Sequence, residues 1–314
     1  MALDPQIAAM LSGSKWPGAA NVPLADLRAL GRQFSTATGP LPVPLGSVRD
    51  QTIPGPAGEI PVRIYTPVGE GPFPLVVFYH GGGYVMGDLD TQDMIARALC
   101  AGAGAVTVSV DYRLAPEHPF PAGVEDSYAA LLWAAKHAGE LDADAGRLAV
   151  AGDSAGANFA TVMALMAKER GGPSLSAQVM FYASATYPDT ATASSREFSG
   201  GPVLTSDDVT YFWHHYLSDP EREKDDYRAS PYRAASHTGL PPAFVGTPEI
   251  DPTRDDAERY AEKLASAGVT VDARRYEGMP HGFVSWLAVI PAAQKAVDDA
   301  CAFLKAQWTG KAAS

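Results

Sequence analysis

The segment with the clearest chemical content is GDSAG, in which Gly152, Ser154 and Gly156 match the pattern Gly-x-Ser-x-Gly. An apolar run leads into Gly152, and a helical pattern of small residues leaves from Ala155. A serine at such a sharp strand-to-helix turn is exposed above a sheet, where its hydroxyl can attack a carbonyl carbon. The alternative is a serine that caps an ordinary helix. The context favours the first interpretation, and we predict that Ser154 is a nucleophile.

A second segment, HGGGYVMGD from His80 onward, directly follows the apolar run PLVVFY. Three consecutive glycines carry an entropic cost when the segment is ordered. They are explained where backbone N–H groups must approach a ligand with no Cβ in the way. Together with the residue after a nucleophilic serine, such a loop binds the oxyanion of a tetrahedral intermediate. The alternatives are a flexible hairpin or a phosphate loop, whereas a dinucleotide fingerprint is excluded because Met86 replaces its third glycine. The candidate oxyanion donors are the N–H groups of Gly82, Gly83 and Ala155, with Gly81 as a further candidate.

The remaining members of a serine triad are expected in the order acid and then histidine, each in a loop after a late strand. Asp251 comes shortly after the strand-like run PAFVGT, and His281 lies between a proline and a glycine after the run VDARRYEG. We predict that His281 is the general base and that Asp251 orients it. Three nearby acidic residues compete with Asp251 for its role: Glu249, Asp255 and Asp256.

Strand-like and helical segments alternate along the chain, which predicts an α/β fold with a mostly parallel sheet. The predicted strands are Ile60–Tyr65, Leu75–Tyr79, Val106–Val110, Leu148–Ala151, Val179–Tyr182, Phe244–Gly246 and Val271–Tyr276. The predicted helices are Asp90–Ala101, Val124–His137, Ala155–Lys168, Arg254–Ala267 and Pro291–Trp308. The candidate site residues follow strands, and ligands of α/β folds bind at strand ends.

Two regions break this alternation: residues 1–45, which include a proline-rich stretch, and residues 186–235, which are rich in Ser, Thr, Asp and aromatic residues. Segments of this length inside a compact domain are usually functional. We therefore expect both regions to form a cap over the site, with residues 46–185 and 236–314 as the catalytic core of a single domain. The alternative is surface elaboration.

Composition and charge exclude several other classes of protein. The formal net charge of −12 repels phosphate backbones, so nucleic acid is a poor partner. The longest apolar stretches are far shorter than the roughly 20 residues that cross a bilayer, and the first residues lack a secretory pattern, so we expect a cytoplasmic protein. Cys100 and Cys301 predict neither a disulfide framework nor a metal site.

Five blocks of the sequence resemble the bacterial hormone-sensitive-lipase-like esterases, a branch of the α/β-hydrolase fold. The blocks are HGGGYVMGD, DYRLAPEHPFPAGVED, GDSAGANFA, DPTRD and HGF. The resemblance implies an eight-stranded, mostly parallel sheet flanked by helices, a helical cap, and hydrolysis of short- to medium-chain acyl esters through an acyl-enzyme. Ser154, Asp251 and His281 match its triad, and we expect no metal or organic cofactor. Thr253 departs from the family pattern, which commonly has leucine at that position.

Two other functions are known alternatives for a chain with this pattern. An amidase, lactonase or carbamate hydrolase would employ the same triad, because specificity depends on pocket contacts. A ligand receptor on this fold would have a damaged triad, whereas all three members are present here. The expected partner is a small-molecule ester, and the sequence is compatible with a monomer or a homodimer.

Overall fold

The computed structural model of the chain describes residues 2–13, 17–36, 39 and 41–310. The remaining positions of the predicted cap and core regions, including both chain ends, lie outside the described residues. The strands in the described residues are β1 (Ser47–Gly55), β2 (Gly58–Thr66), β3 (Phe73–Tyr79), β4 (Val106–Val110), β5 (Ala143–Asp153), β6 (Ala177–Phe181), β7 (Ala243–Ile250) and β8 (Val271–Pro280).

These strands form one eight-stranded sheet in the order β1-β2-β4-β3-β5-β6-β7-β8. Strand β2 is antiparallel to both of its neighbours, and every other adjacent pair is parallel. The predicted fold class, an eight-stranded and mostly parallel sheet of the α/β-hydrolase kind flanked by helices, is therefore confirmed.

Helices cover both faces of the sheet. They are α1 (Pro5–Leu11), α2 (Leu24–Thr36), α3 (Asp93–Ala103), α4 (Ala122–Lys136), α5 (Ala155–Arg170), α6 (Ala193–Glu197), α7 (Ser206–Tyr216), α8 (Pro220–Glu223), α9 (Arg254–Ser266) and α10 (Pro291–Thr309). Short 3₁₀ turns lie at Ala19–Asn21, Ala138–Leu141, Pro231–Arg233 and Phe283–Trp286. Helices α3 and α10 pack on one face, and α4, α5 and α9 pack on the other. In the part of the chain that the structure describes, no helix combines the length and apolarity needed to cross a membrane.

The double cover explains why the central strand β3 is apolar along its whole length. In β3, Val76 and Phe78 pack toward α3 and α10, whereas Leu75 and Val77 pack toward α4 and α5. Because side chains alternate between two buried faces, a strand in this position needs no polar residue. The seven predicted strands all correspond to strands of the sheet.

Strand β1 was not predicted, and its position in the sheet explains why. It is the edge strand of the sheet, and β2 is its one partner among the strands that the structure describes. Most of its side chains are exposed, and Ile53 is its one buried residue. A strand that buries one side chain lacks the apolar pattern by which strands are identified from sequence.

Candidate active site

Ser154 lies at the turn between β5 and α5. Its φ of +52° falls in the region that residues with a side chain rarely adopt. Its N–H donates to the carbonyl oxygen of Phe181, 2.9 Å away. The turn also needs glycine at position 156, because a Cβ there would lie 2.0 Å from the carbonyl oxygen of Tyr79 on β3. The motif thus permits the close packing of α5 on the sheet that holds a strained serine at the strand end.

The histidine and the acid reach this serine from two adjacent strands. His281 follows β8, and Asp251 follows β7. The distance from Ser154 Oγ to His281 Nε2 is 2.9 Å, and the distance from His281 Nδ1 to Asp251 Oδ2 is 2.7 Å. The Asp251 side chain is fully buried, and the His281 side chain is 11% exposed. Parallel strands therefore bring together three residues that are separated by up to 127 positions in the sequence.

The three competing carboxylates have other partners. Glu249 accepts a hydrogen bond from a backbone N–H of β8, and Asp255 forms an ion pair with Arg254. Asp256 accepts from two backbone N–H groups that follow β6. Among the described residues, Asp251 is the one carboxylate within hydrogen-bonding distance of His281.

The glycine loop after β3 supplies backbone donors close to Ser154. Gly82 has a φ of +126°, and a Cβ there would lie 2.0 Å from the carbonyl oxygen of Met86. Among the described residues, the N–H groups of Gly82, Gly83 and Ala155 have no acceptor, and all three residues line the same cavity as Ser154. Unpaired N–H groups beside a nucleophile are suited to bind a developing oxyanion.

The Gly81 N–H cannot serve as a further donor, which corrects the expectation that it would. It donates instead to Asp153 Oδ1 at 2.8 Å. Asp153 is 2% exposed, and burial raises the pKa of its carboxyl to about 7. This carboxyl group fastens the glycine loop to the residue before Ser154. Asp153 was not among the predicted site residues, although a charged residue at the end of the apolar run LAVAG was a signal that it has a buried partner.

Ser154 and His281 open into a cavity of about 430 Å³ at the strand ends. The loops that carry the triad form one side of this cavity. Apolar side chains from both predicted cap regions form much of the rest: Leu11, Leu30, Phe34, Val203, Leu204 and Phe212. A mostly apolar cavity with a few polar groups at one end is typical of a small-molecule site.

A second cavity, of about 570 Å³, adjoins the first and shares Ser184, Val209 and Thr253 with it. Neither Ser154 nor His281 lines this second cavity. Its lining is rich in hydroxyl groups, many of which are bonded within the protein, as in the caps at Thr192 and Ser195. The chemistry therefore belongs to the first cavity.

A serine at a strained strand-to-helix turn, joined through a histidine to a buried carboxylate and faced by unpaired N–H groups, defines a serine hydrolase of the α/β-hydrolase class. The comparison with protein families agrees with this class. A family described as having the alpha/beta hydrolase fold matches residues 76–285.

Named relatives narrow the class further. Carboxylesterase NlhH of Mycobacterium tuberculosis is 47% identical over 252 residues, which are 79% of this chain and 78% of that protein. Carboxylic ester hydrolase LipN of the same organism is 43% identical over 291 residues, which are 90% and 77% of the two chains. A solved hyperthermophilic esterase from the archaeon Pyrobaculum calidifontis superposes with a TM-score of 0.93 at 39% identity, covering 98% of this chain and 99% of that chain. The chain therefore belongs to the α/β-hydrolase fold family, in its hormone-sensitive-lipase-like carboxylesterase branch, as the sequence blocks predicted.

Proposed function

We propose that this protein hydrolyses carboxylic esters with Ser154 as nucleophile, His281 as general base and Asp251 as the orienting acid. The observation that carries the proposal is the continuous chain of contacts from Ser154 Oγ to His281 at 2.9 Å and from His281 to Asp251 at 2.7 Å. The His281 Nε2 atom takes the hydroxyl proton as Ser154 attacks the carbonyl carbon. The Asp251 carboxylate stabilises the imidazolium that forms.

The oxyanion of the tetrahedral intermediate accepts hydrogen bonds from the N–H groups of Gly82, Gly83 and Ala155. Removing one such donor costs other serine hydrolases about 3 to 4 kcal/mol of transition-state stabilisation. The intermediate collapses, the C–O bond to the alcohol breaks, and the departing alkoxide takes the proton from His281. Water then enters, loses a proton to His281 and attacks the acyl-enzyme, which releases the acid and restores the Ser154 hydroxyl.

We infer that the acyl groups are short to medium in length. The apolar side chains of the 430 Å³ cavity favour a hydrocarbon chain, and its volume is near the lower end of the range for small-molecule sites. Residues 1–45 and 186–235 are proposed as the cap, because side chains from both regions line this cavity. These two regions are called the cap segments below. Residues 46–185 and 236–314 are proposed as the core.

The location in the cytoplasm, and the choice between monomer and homodimer, stay predictions. Cell fractionation tests the location. Size-exclusion chromatography with light scattering tests the oligomeric state against the monomer mass of 33.0 kDa.

The decisive experiment measures hydrolysis of p-nitrophenyl esters from acetate to palmitate by the parent and by Ser154→Ala. We expect activity on short and medium esters, and a loss of about 10⁵-fold or more in kcat on substitution. The matched control is Ser35→Ala, which removes a serine hydroxyl that lines the same cavity from α2 but is outside the proposed triad. We expect this control to keep the parental kcat. Full activity in Ser154→Ala, or an inactive parent on every ester, would overturn the proposal.

A further inference from the structure

Thr253 lies in the turn between Asp251 and α9 and contacts both partners of the nucleophile. Its side chain is buried, with the residue 6% exposed. The Thr253 hydroxyl oxygen is 2.9 Å from Asp251 Oδ1 and 3.5 Å from His281 Nδ1. It also lines the catalytic cavity and the neighbouring cavity. The mechanism above assigns no role to this hydroxyl.

The buried Asp251 carboxylate depends on Thr253 for most of its hydrogen bonds. Its Oδ2 atom faces His281, whereas its Oδ1 atom accepts from the Thr253 N–H at 2.8 Å and from the Thr253 hydroxyl at 2.9 Å. Among the described residues, no lysine or arginine forms an ion pair with this carboxylate. An ionised carboxyl group removed from water needs such donors to remain charged and in place.

The geometry also decides which way the hydroxyl proton points. A hydroxyl carries one proton, and the shorter contact at 2.9 Å directs it to Asp251. The 3.5 Å separation from His281 Nδ1 is too long for a strong hydrogen bond. The hydroxyl therefore acts on His281 through Asp251 rather than through a direct hydrogen bond of its own.

We propose that Thr253 is a positioning residue, whose hydroxyl fixes the rotation of the Asp251 carboxylate so that Oδ2 points at His281. The same hydrogen bond withdraws negative charge from the carboxylate and so weakens its hold on the protonated imidazole. The inference rests on the proposed function, because it concerns the orientation of the proposed triad.

Two effects are expected when the hydroxyl is removed. The carboxylate rotates more freely, fewer molecules have His281 aligned with Ser154, and kcat falls by about tenfold, the size expected for one hydrogen bond to a charged group. In addition, more carboxylate charge acts on the protonated imidazole. The acid limb of the profile of kcat/KM against pH therefore moves to higher pH.

Other titratable groups near Asp251 and His281 also affect the pH profile, so their contacts must be the same in every variant compared. Among the described residues they are Asp153 at the end of β5, Tyr182 after β6 and Asp256 on α9. Burial raises the pKa of Asp153 and that of Asp256 to about 7, and raises the pKa of Tyr182 well above its usual value. None of these groups bonds to the Thr253 hydroxyl, so the difference between two profiles isolates that hydroxyl.

The test compares Thr253→Val, which keeps the shape of the side chain, with Thr253→Ser, which keeps the hydroxyl. The control is Thr210→Val, because Thr210 is exposed, lines the neighbouring cavity and donates its hydroxyl to a backbone carbonyl of its own helix.

The values of kcat and KM for p-nitrophenyl butyrate are measured from pH 5 to pH 9, together with the unfolding temperature. We expect a kcat about tenfold lower, an unchanged KM and a shifted acid limb for Thr253→Val. Thr253→Ser should stay within about twofold of the parent, and Thr210→Val should match it.

Two results would overturn the inference. One is a parental kcat and pH profile in Thr253→Val. The other is a Thr253→Ser variant as impaired as Thr253→Val when both unfold at the parental temperature. If Thr253→Val does not fold, Thr253→Ala takes its place with the same expectations.

Labelling with diethyl p-nitrophenyl phosphate separates this inference from the proposed function. A parent protein in which Ser154 is not phosphorylated overturns the proposed nucleophile. Normal labelling of the parent, together with a Thr253→Val variant that behaves as the parent does, overturns the role of Thr253 alone.

Discussion

The loops at the strand ends and the cap segments enclose one cavity but are held in different ways. Asp251, after β7, is fully buried and has three hydrogen bonds. Helix α2, in the first cap segment, instead attaches to the core through Arg28 and Arg32, which bond to exposed or half-exposed carboxylates. Its Phe34 is 54% exposed even though it lines the cavity. The proposed triad thus depends on buried contacts at the strand ends, whereas much of the cavity wall lies on segments attached by exposed ion pairs, which contribute little to stability.

A change confined to the strand-end loops is expected to have the largest effect. Asp251→Asn preserves the shape of the side chain but favours the wrong tautomer of His281, and we expect kcat to fall by about 10⁴-fold with KM little changed. Steady-state kinetics with p-nitrophenyl butyrate measures this. A loss below tenfold would show that another group orients His281.

The matched control for this change is Asp255→Asn. Asp255 lies in the first turn of α9, just after the loop that carries Asp251, but it bonds to Arg254 and to the N–H of Ser194 rather than to His281. We expect its kcat to stay within about threefold of the parent, because Asp255 does not contact His281 and the amide oxygen of asparagine can still accept the hydrogen bond from the Ser194 N–H. Equal losses in the two variants would mean that the turn, and not the His281 contact, determines the rate.

A change confined to the cap segments should act on fit rather than on chemistry. Phe34 packs edge-on against Trp286, with ring centroids 6.0 Å apart, at the wall of the catalytic cavity. We expect Phe34→Ala to lower kcat/KM for octanoate about fivefold and to leave acetate unchanged, because only a longer chain reaches this wall. The measurement is the ratio of the two values of kcat/KM.

Val68→Ala is the control for Phe34→Ala, since Val68 is an exposed apolar residue that does not line the cavity. We expect it to leave the ratio unchanged. An equal loss on acetate and octanoate in Phe34→Ala would contradict the division of labour between the two parts of the molecule.

The same division decides what could be predicted from the sequence. Ser154 could be placed because an apolar run and Gly152 mark the end of its strand, and His281 because it follows a strand-like run and lies between a proline and a glycine. Parallel strands end at one edge of the sheet, so the two residues are expected to lie together. The two regions that break the alternation of strands and helices could be recognised from the sequence, whereas the positions of α1 and α2 within the first region could not, since each of these helices buries a single residue.

Within the site, the unpredicted details are those that depend on contacts between distant segments. The partner of the Gly81 N–H is 72 residues away in the chain, at Asp153. Likewise, Thr253 could be noticed as an unusual residue, but its approach to His281, 28 residues away, follows from how β7 and β8 pair. No local pattern encodes such a contact, because it depends on the register of the sheet.

The smallest effect is expected where the cap segments are anchored to the core. The Arg28 guanidinium binds both carboxylate oxygens of Glu117 at 2.7 Å and donates to the carbonyl oxygens of Val85 and Ala115. This partner lowers the pKa of Glu117 to about 2, so the ion pair stays charged at every pH at which the protein would be assayed. Salt, rather than pH, should therefore weaken the anchor.

We expect Arg28→Gln to raise KM two- to threefold with kcat unchanged, because α2 carries Leu30 and Phe34 into the cavity wall and a looser helix must be ordered by the substrate. Raising the salt concentration should increase the KM of the parent toward that of the variant, whose own KM should change less.

Arg147→Gln is the control, since Arg147 also binds a carboxylate and a carbonyl oxygen but lies near the start of β5, at the opposite end of the strand from Ser154. Parallel salt responses in the parent and in Arg28→Gln would mean that this ion pair does not hold α2 over the cavity. The burial of Leu27 and the Ala19 N–H bond to Asp208 would then be the contacts that keep the two cap segments in place.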